Sequence, residues 1–292
     1  EKAKGDKLTA DESKMFDDLK RDISEEPNYS GNILQRLFNT DKLTLVSVKE
    51  GGKWYISPVM TMAEQMVSYS SVTPNYGADF TNVEGAKSPE EAVSGMVDAL
   101  RNGAGMGDKD FYRFLDLPER RVAAVYGGSG STGGVGDSIQ VNWGLTSTKV
   151  SGGAIVNFGT TSITFDGSYK VEFNNDTVTY SYADSSSSSR YTSPKPQSQT
   201  VRFTEGLVNP ERLGVFAVQD NTGWHVSFIS TVGNLTLLEA TDAAVNEAVN
   251  GMSSSFGSGS SVSTNELRDL ATTNKPVGAM LVIAWNFMKS SN

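Results

Sequence analysis

The sequence predicts an α+β fold in which helices pack on a curved antiparallel sheet. Helix-like segments precede a long run of short, strand-like segments in which apolar and polar residues alternate. A β-hairpin sequence occurs twice, at residues 43–57 and at residues 213–227. Helices followed by a meander of strands are typical of folds in which the helices cover one face of the sheet.

Composition limits the possible functions. The chain has 292 residues, a formal net charge of −9, one histidine and no cysteine. An acidic chain without clustered Lys and Arg argues against binding to nucleic acid or to an anionic membrane surface. Disulfides and thiolate metal sites are excluded, as is a metal site made of several histidines. The first residues, EKAKGDKL, contain no apolar segment, so we expect any signal peptide or membrane anchor to lie outside this sequence.

The N-terminal region is predicted to be helical. Charges of both signs surround apolar residues at helical spacing, which predicts an amphipathic helix over residues 10–25. Its apolar residues are Met15, Phe16, Leu19 and Ile23. A second short helix is expected at residues 32–38.

The hairpin at 43–57 consists of two alternating segments around the turn Glu50-Gly51-Gly52. The same pattern recurs 170 positions later without a gap. In this alignment, four pairs of residues are identical: Leu43 and Leu213, Val48 and Val218, Trp54 and Trp224, Ser57 and Ser227. This internal repeat favours two copies of one domain type, with a chance match as the alternative.

Two helices are predicted before the strands. Ser88-Pro89-Glu90-Glu91 has the sequence of a capping box with proline at the first helical position. The apolar residues behind it share one helix face: Val93, Met96, Val97 and Leu100. A further helical region is expected at 109–125, with Asp108 as a possible cap and a restart at Pro118.

The strand-like segments extend from residue 138 to residue 206 and are followed by the second hairpin. Segments rich in Ser and Gly are predicted to be surface linkers: 127–137, 183–200 and 252–265. Beyond residue 242 we expect a helix near 243–252 and a last ordered element near 266–288. The apolar run 277–287 is shorter than the roughly 20 residues that span a bilayer, so a buried helix or strand is expected there.

A glycine motif suggests nucleotide binding at first sight. Gly128, Gly130 and Gly133 have the spacing G-x-G-x-x-G. A phosphate site of this kind needs a helix after the glycines, so that its first amide groups meet the anion. Here DSIQVNWGL follows, and its alternation predicts a strand. We therefore expect a connection between helix and strand and no nucleotide.

His225 is the candidate general base. It follows Trp224 on a predicted strand, so the two side chains point to opposite faces. If Trp224 is in the core, His225 faces outward; if the strand lines a cavity, His225 could act as a base. The first copy has Tyr55 at this position. Candidate carboxylates are Asp108, Asp110, Asp116, Asp166 and Glu172, although a cap explains Asp108 better and a turn explains Asp166 better.

Aromatic residues alternate along the predicted strands and fill either the sheet–helix interface or the wall of a cavity. They are Phe158, Phe165, Tyr169, Phe173, Tyr180 and Tyr182. Together with the tryptophans, they provide the candidate binding residues Trp143, Trp224, His225, Phe158 and Tyr180.

The segments SPEEAVSGMVDALRNG, FYRFLDLPERRVAAVYG and GWHVSFIS resemble an NTF2-like (cystatin-like) α+β module. More narrowly, they are similar to tandem modules of secreted or membrane-anchored envelope proteins and lipoproteins of actinobacteria, which end in a Gly-x-Trp strand such as GKWY at 52–55. The resemblance implies a curved sheet wrapped by helices, often around a conical cavity. Family members include isomerases, dehydratases and non-catalytic binding modules, but the Asp/His or Tyr/Asp pairs of the enzymes have no counterpart on this chain.

We therefore expect three regions. Residues 1–75 contain a helical segment and the closing hairpin of a first, abbreviated module; residues 86–242 form a complete module; residues 243–292 form a Ser/Gly linker and a packing segment. The expected function is non-catalytic binding of a protein partner or an apolar ligand at the cell envelope, without cofactor or metal. The alternatives are an isomerase or lyase that uses His225 with an acidic residue, and a VirB8-like scaffold of a secretion or conjugation apparatus.

Overall fold

The computed structural model describes residues 44–50, 52–67, 72–81, 83–128, 136–183, 196–256 and 263–290. The chain divides into two compact units, residues 1–70 and 71–292. Helices and antiparallel sheets confirm the predicted α+β class. The helices predicted at 10–25 and 32–38 lie outside the described residues.

In the first unit, the predicted hairpin is present and a helix follows it. Strands β1 (Ser47–Glu50) and β2 (Lys53–Ile56) pair antiparallel, with Val48 opposite Tyr55. Helix α1 (Pro58–Val67) begins directly after β2. The sequence reasoning did not predict α1.

In the second unit, helix α2 (Pro89–Arg101) begins at the predicted N-cap Ser88, with proline at the first helical position. Ser88 Oγ accepts the Glu91 N–H at 3.1 Å, while the Glu91 carboxylate accepts the Lys87 N–H at 2.9 Å. The first bond satisfies an amide group that a helix start leaves free. The second reaches Lys87 instead of the N-cap residue Ser88, so the predicted capping box is only half formed.

The helical region predicted at 109–125 is two helices. They are α3 (Lys109–Tyr112) and α4 (Leu117–Tyr126), and Asp116 caps the second by accepting the Leu117 N–H at 2.7 Å. The interruption arises because Leu115 pairs with the strand residue Val226 in a parallel bridge.

In the described part of the second unit, nine strands form two antiparallel sheets. The strands are β3 (Ile139–Asn142), β4 (Thr146–Val150), β5 (Gly153–Asn157), β6 (Ser162–Phe165), β7 (Tyr169–Asn174), β8 (Thr177–Ala183), β9 (Pro196–Arg202), β10 (Val215–Asp220) and β11 (Gly223–Val226). One sheet has the order β11-β10-β5-β4, and the other has the order β3-β6-β7-β8-β9. The strand-like segments of the sequence are thus confirmed as strands.

The run at 138–150 reads as continuous in the sequence, yet it supplies one strand to each sheet. The chain changes sheet between β3 and β4, at Gly144. Gly144 exchanges backbone contacts with the turn at 160–161: its carbonyl accepts the Thr160 N–H and its N–H donates to Thr161 Oγ1. A Cβ at this position would overlap Thr160, so the crossing requires glycine.

Two apolar clusters form the core of the second unit. The first joins α2, α3 and α4 to β5, β10 and β11, and includes Val93, Met96, Phe111, Leu115 and Val226. Phe111 and Leu115 are each 3% exposed, so both side chains lie inside this core.

The second cluster joins the C-terminal helices. It includes Leu238, Val245, Val249, Ala271, Ala279 and Val282. The helices after β11 are α5 (Phe228–Leu235), α6 (Asp242–Phe256), α7 (Thr264–Thr273) and α8 (Lys275–Ser290). The final predicted element is thus two helices, α7 and α8, and the apolar run 277–287 belongs to α8. No helix in the described ranges combines the length and apolar character needed to cross a membrane.

The two hairpins have the same hydrogen bonds 170 positions apart. The Ser57 N–H donates to the Val46 carbonyl at 2.9 Å, and the Ser227 N–H donates to the Phe216 carbonyl at 2.9 Å. The Val46 N–H donates to Thr61 Oγ1 at 3.0 Å.

In the second unit, the Phe216 N–H donates to Thr231 Oγ1 at 2.8 Å. The following helices begin alike as well, because Ser57 Oγ accepts the Met60 N–H and Ser227 Oγ accepts the Ser230 N–H. Strand register is also shared, with Val48 opposite Tyr55 and Val218 opposite His225.

Candidate functional site

A pocket of about 550 Å³ lies in the second unit, where residues of both sheets meet α5 and α8. Aromatic and aliphatic side chains form most of its wall: Phe158, Phe173, Phe203, Leu235, Ile283 and Phe287. A volume of this size suits a small organic molecule, because ligand pockets usually measure about 300–1,000 Å³.

Phe158 and Phe173 form one wall of the pocket. Their rings stack with centroids 4.5 Å apart and an interplanar angle of 19°. Phe158 follows β5 and Phe173 lies in β7, so the stacked pair joins the two sheets. Phe158 remains 41% exposed, which leaves ring surface open to an occupant.

Helix α8 forms the facing wall, and a buried asparagine holds it in place. Asn286 is 2% exposed, and its side-chain amide donates to the carbonyl oxygens of Phe203 and Glu205, at 3.3 and 2.9 Å. Phe287, the next residue, therefore has a fixed position. Its ring lies 6.3 Å from that of Tyr180, and burial raises the pKa of the Tyr180 phenol.

Two polar side chains in the pocket wall bond to the backbone. The Asn157 side chain donates to the Leu213 carbonyl at 2.6 Å. Thr231 Oγ1 accepts the Phe216 N–H and donates to the Ser227 carbonyl. The remaining wall is mostly aromatic and aliphatic, so the pocket mainly offers apolar surface.

The charged residues of the lining are both acidic. Asp176 pairs with Arg202 at 3.2 Å, with both side chains about half exposed, and Glu211 is exposed. No lysine or arginine is among the described residues that line the pocket. The electrostatics therefore favour a neutral occupant over an anionic one.

His225 is 0% exposed, and its ring lies between two charged groups. Nδ1 is 2.8 Å from Arg120 Nη2, and Nε2 is 3.1 Å from Asp220 Oδ1 and 2.9 Å from Thr222 Oγ1. Gly85 covers the ring, because a Cβ on Gly85 would overlap it.

The contacts determine which ring nitrogen carries the proton. A guanidinium group can only donate, so Nδ1 accepts from Arg120 and the proton of the neutral ring is on Nε2. Nε2–H then donates to Asp220. The Arg113 carbonyl oxygen, 3.0 Å from Nδ1, receives no hydrogen from the ring in this state.

Burial and the adjacent Arg120 charge lower the pKa of His225, which keeps the ring neutral. Arg120 is itself 2% exposed, and burial lowers its pKa as well. Hydrogen bonds from Thr222 and from His225 hold the pKa of Asp220 below its usual range. With both ring nitrogens engaged, His225 joins α4 to the second hairpin and has no lone pair available for a substrate.

A partly buried carboxyl of α4, that of Glu119, lies against the start of α5. Glu119 Oε1 accepts the Ile229 N–H at 2.9 Å, and Ser227 Oγ is 3.4 Å away. Its Oε2 is buried and has no hydrogen-bond partner among the described residues. Burial raises the pKa of the Glu119 carboxyl.

The five candidate binding residues occupy separate places. Phe158 lines the pocket, and Tyr180 packs against its wall through Phe287. Trp143 donates its indole N–H to Asp98 on α2 at 3.2 Å, and Trp224 packs on the helical core.

His225 belongs to the polar network and is fully buried. Trp224, the preceding residue, is half-buried. The sequence predicted that the His225 side chain would either face outward or line a cavity, and the structure shows neither. Strand β11 is covered on both faces, so neither side chain reaches solvent fully.

The candidate carboxylates have local roles. Asp108 accepts the Gly105 N–H at 2.6 Å, and Asp116 caps α4. Asp166 has a φ of 47° in the turn between β6 and β7, as the turn prediction requires. Glu172 pairs with Lys170 at 2.7 Å.

In the glycine motif, residues 129–135 lie outside the described part. The short 3-10 turn Gly136–Ser138 and strand β3 follow it, as expected for a connection between helix and strand.

Sequence reasoning missed Arg120, Asp220 and the α8 side of the pocket. Arg120 carried a detectable signal, because Leu117, Arg120 and Ala124 are at helical spacing and place an arginine on the inward stripe of α4. Asp220 also carried a detectable signal, since an Asp followed by Asn-Thr-Gly is typical of a side chain that accepts a hydrogen bond from the backbone two residues later.

Within the described parts of the chain, no group of three or more His, Cys, Asp or Glu side chains is placed to hold a metal ion. Comparison of the chain with protein-family models, with curated proteins and with solved structures found no match in any of the three.

Proposed function

We propose that this chain is a non-catalytic binding protein and that its second unit holds a neutral, apolar small molecule in the pocket between Phe158 and Phe287. The observation that carries the proposal is the pocket itself, with a volume of about 550 Å³ and walls that are mostly aromatic and aliphatic. Burial of apolar ligand surface supplies the affinity, at about 2.5 kcal/mol for each 100 Å² removed from water.

The polar groups nearby support binding over catalysis. Asp176 and Glu211 are the titratable residues of the described lining, and neither is deeply buried. His225 lies outside the lining, with both nitrogens engaged. General acid–base catalysis relies on a titratable side chain positioned against the substrate, and the described lining provides only these two solvent-accessible carboxyls.

The binding site is tested with N-phenyl-1-naphthylamine, a neutral probe that fluoresces in apolar surroundings. Ile283→Trp fills the pocket while it keeps the wall apolar. Met280→Trp is the matched control, since Met280 is on the same helix, is 53% exposed and does not line the pocket. We expect at least tenfold weaker probe binding for Ile283→Trp and unchanged binding for Met280→Trp.

Thermal melts of both variants confirm that they fold. Equal affinity of the wild type and the Ile283→Trp variant would place the probe elsewhere and refute the pocket as the site. Native mass spectrometry of the purified wild-type protein then tests for a natural ligand as an additional neutral mass.

We also infer that the chain contains two modules of one NTF2-like type and acts at the cell envelope. The repeated hydrogen bonds at residues 44–61 and 214–231 support a common origin of the two hairpins. The envelope location is supported by the sequence resemblance alone. Fractionation of cells that produce the natural full-length protein tests it, and recovery only with cytoplasmic proteins would refute it.

A further inference from the structure

The wall of the pocket is rich in phenylalanine. Rings from four parts of the second unit contribute to it: Phe158 after β5, Phe173 in β7, Phe203 after β9 and Phe287 in α8. Phe158 is 41% exposed, more than any other apolar side chain of the described lining. It is therefore the ring that offers the most surface to an occupant.

The stacked pair covers only one side of this ring. The centroids of Phe158 and Phe173 are 4.5 Å apart, and their planes differ by 19°. Phe173 lies against one face of the Phe158 ring, so the opposite face and the edges carry the surface that stays open. A further aromatic ring on the open face would extend the stack, and such contacts are worth about two- to tenfold in affinity beyond the burial of area.

Backbone hydrogen bonds hold the stacked pair in place without a ligand. The Phe158 carbonyl accepts the Thr161 N–H at 2.9 Å, and the Thr161 carbonyl accepts the Phe173 N–H at 2.8 Å. Gly159, between them, has a φ of 52°, and its carbonyl accepts the Asn175 N–H at 2.8 Å. The turn after β5 is thus bonded to β7 and to the turn that follows it. A surface arranged in advance loses less freedom when a ligand binds.

The facing wall has a fixed position as well, because Asn286 anchors α8 beside Phe287. Two fixed walls suit a rigid occupant, which has no internal rotations to lose on binding, whereas a flexible alkyl chain loses several. An alkyl chain also gains only the burial of its area, since it has no aromatic face to place on Phe158. Rigidity and stacking both favour a flat ring system.

We propose that the occupant of the pocket is a planar, uncharged aromatic molecule that stacks on the open face of Phe158. This inference rests on the proposed function, because it names the chemical class of the ligand at the same site. Phe158 is then the residue that distinguishes aromatic from aliphatic ligands of equal size.

The experiment compares 2-naphthol with decahydro-2-naphthol by titration calorimetry at pH 7. The two molecules share one carbon skeleton and one hydroxyl group, and only the first is flat and aromatic. Phe158→Leu keeps the wall apolar and removes the ring. We expect this variant to bind 2-naphthol about two- to tenfold more weakly than the wild type, with binding of decahydro-2-naphthol changed by less than the effect on 2-naphthol.

Two further variants control for changes unrelated to stacking. Phe228→Leu makes the same substitution at a ring that is 45% exposed and does not line the pocket, so we expect wild-type affinity for both molecules. Phe158→Tyr keeps a ring at the site and should restore the affinity for 2-naphthol. Thermal melts of the three variants show whether each is folded.

The outcomes separate this inference from the proposed function. Equal weakening of both ligands by Phe158→Leu, or no weakening of 2-naphthol, would overturn the stacking proposal. If Ile283→Trp still blocked both ligands in that case, the pocket would stand as the site for apolar molecules in general. Unchanged binding of both ligands to Ile283→Trp would refute the pocket and the stacking proposal together.

Discussion

The first and second hairpins have the same backbone pairing and opposite burial. Tyr55 is 49% exposed, while its counterpart His225 is fully buried; Ile56 is 62% exposed, while Val226 is fully buried. Backbone pairing is therefore encoded within the hairpin and the helix that follows it. Burial depends on what the rest of each unit supplies.

In each hairpin, two short side chains, a serine and a threonine, determine the local structure. Ser57 and Ser227 cap the following helices, and Thr61 and Thr231 accept the amide of the incoming strand. These contacts join each strand to the helix that follows it. The hydroxyl groups need no long-range partner, which explains why the element recurs in different surroundings.

The same comparison explains the chemistry of His225. Where the first hairpin has an exposed tyrosine, the second has a histidine between Arg120 and Asp220. Helix α4 supplies the arginine, and the described part of the first unit has no such helix. A buried, hydrogen-bonded ring of this kind holds elements together instead of reacting.

The largest expected effect comes from substitutions at these equivalent positions. His225→Ala leaves the buried Arg120 guanidinium without its side-chain hydrogen-bond partner, and we expect a loss of about 3 kcal/mol in the free energy of unfolding of the second unit. Tyr55→Ala removes an exposed ring and should change stability by no more than about 0.5 kcal/mol. Urea denaturation measures both changes.

Comparable losses from the two alanine substitutions would contradict this difference between the hairpins. A loss for His225→Ala with unchanged probe binding in the pocket is also expected, since His225 does not line it.

A smaller effect is expected in the pH dependence of the stability of the second unit. Burial lowers the pKa of His225 below its ordinary value of 6.5. At a pH between the pKa of His225 in the folded chain and its ordinary value, the ring is protonated in the unfolded chain and neutral in the folded chain. Stability therefore decreases as pH falls below about 6.5. Unfolding of the His225→Gln variant, measured from pH 8 to pH 5, should show a weaker decrease than that of the wild type.

Glu119 acts in the opposite direction, since burial raises its pKa above the ordinary value of 4.5. The folded chain then keeps a proton that the unfolded chain has lost, so this contribution to stability disappears as pH rises through the folded-state pKa. Glu119→Gln should thus gain stability relative to the wild type as pH rises. Parallel pH profiles of the two proteins would show that Glu119 does not titrate in this range.

Local patterns in the sequence predicted much of the fold. The N-cap at Ser88, the turn at Asp166 and the two hairpins all depend on neighbouring residues, and each has the predicted structure. The change of sheet at Gly144 was not predictable in the same way, because it depends on contact with Thr160, across another strand.

Less of the candidate site could be predicted from the sequence. Phe158 was predicted from its alternation, but Ile283 and Phe287 reach the pocket through the packing of α8 on strand β9. Helical periodicity shows that α8 has an apolar face and does not show which surface that face meets. The partners of His225 were missed for a related reason, since Arg120 is distant in sequence.

The most direct test of a shared structural element is amide exchange at Val46 and Phe216, each of which donates to a threonine hydroxyl fifteen residues later. We expect both amides to be protected in the wild type. Thr61→Val should remove protection at Val46 alone, and Thr231→Val at Phe216 alone. Rapid exchange of Val46 in the wild type, or no effect of Thr61→Val on it, would contradict the claim that the two units contain the same element.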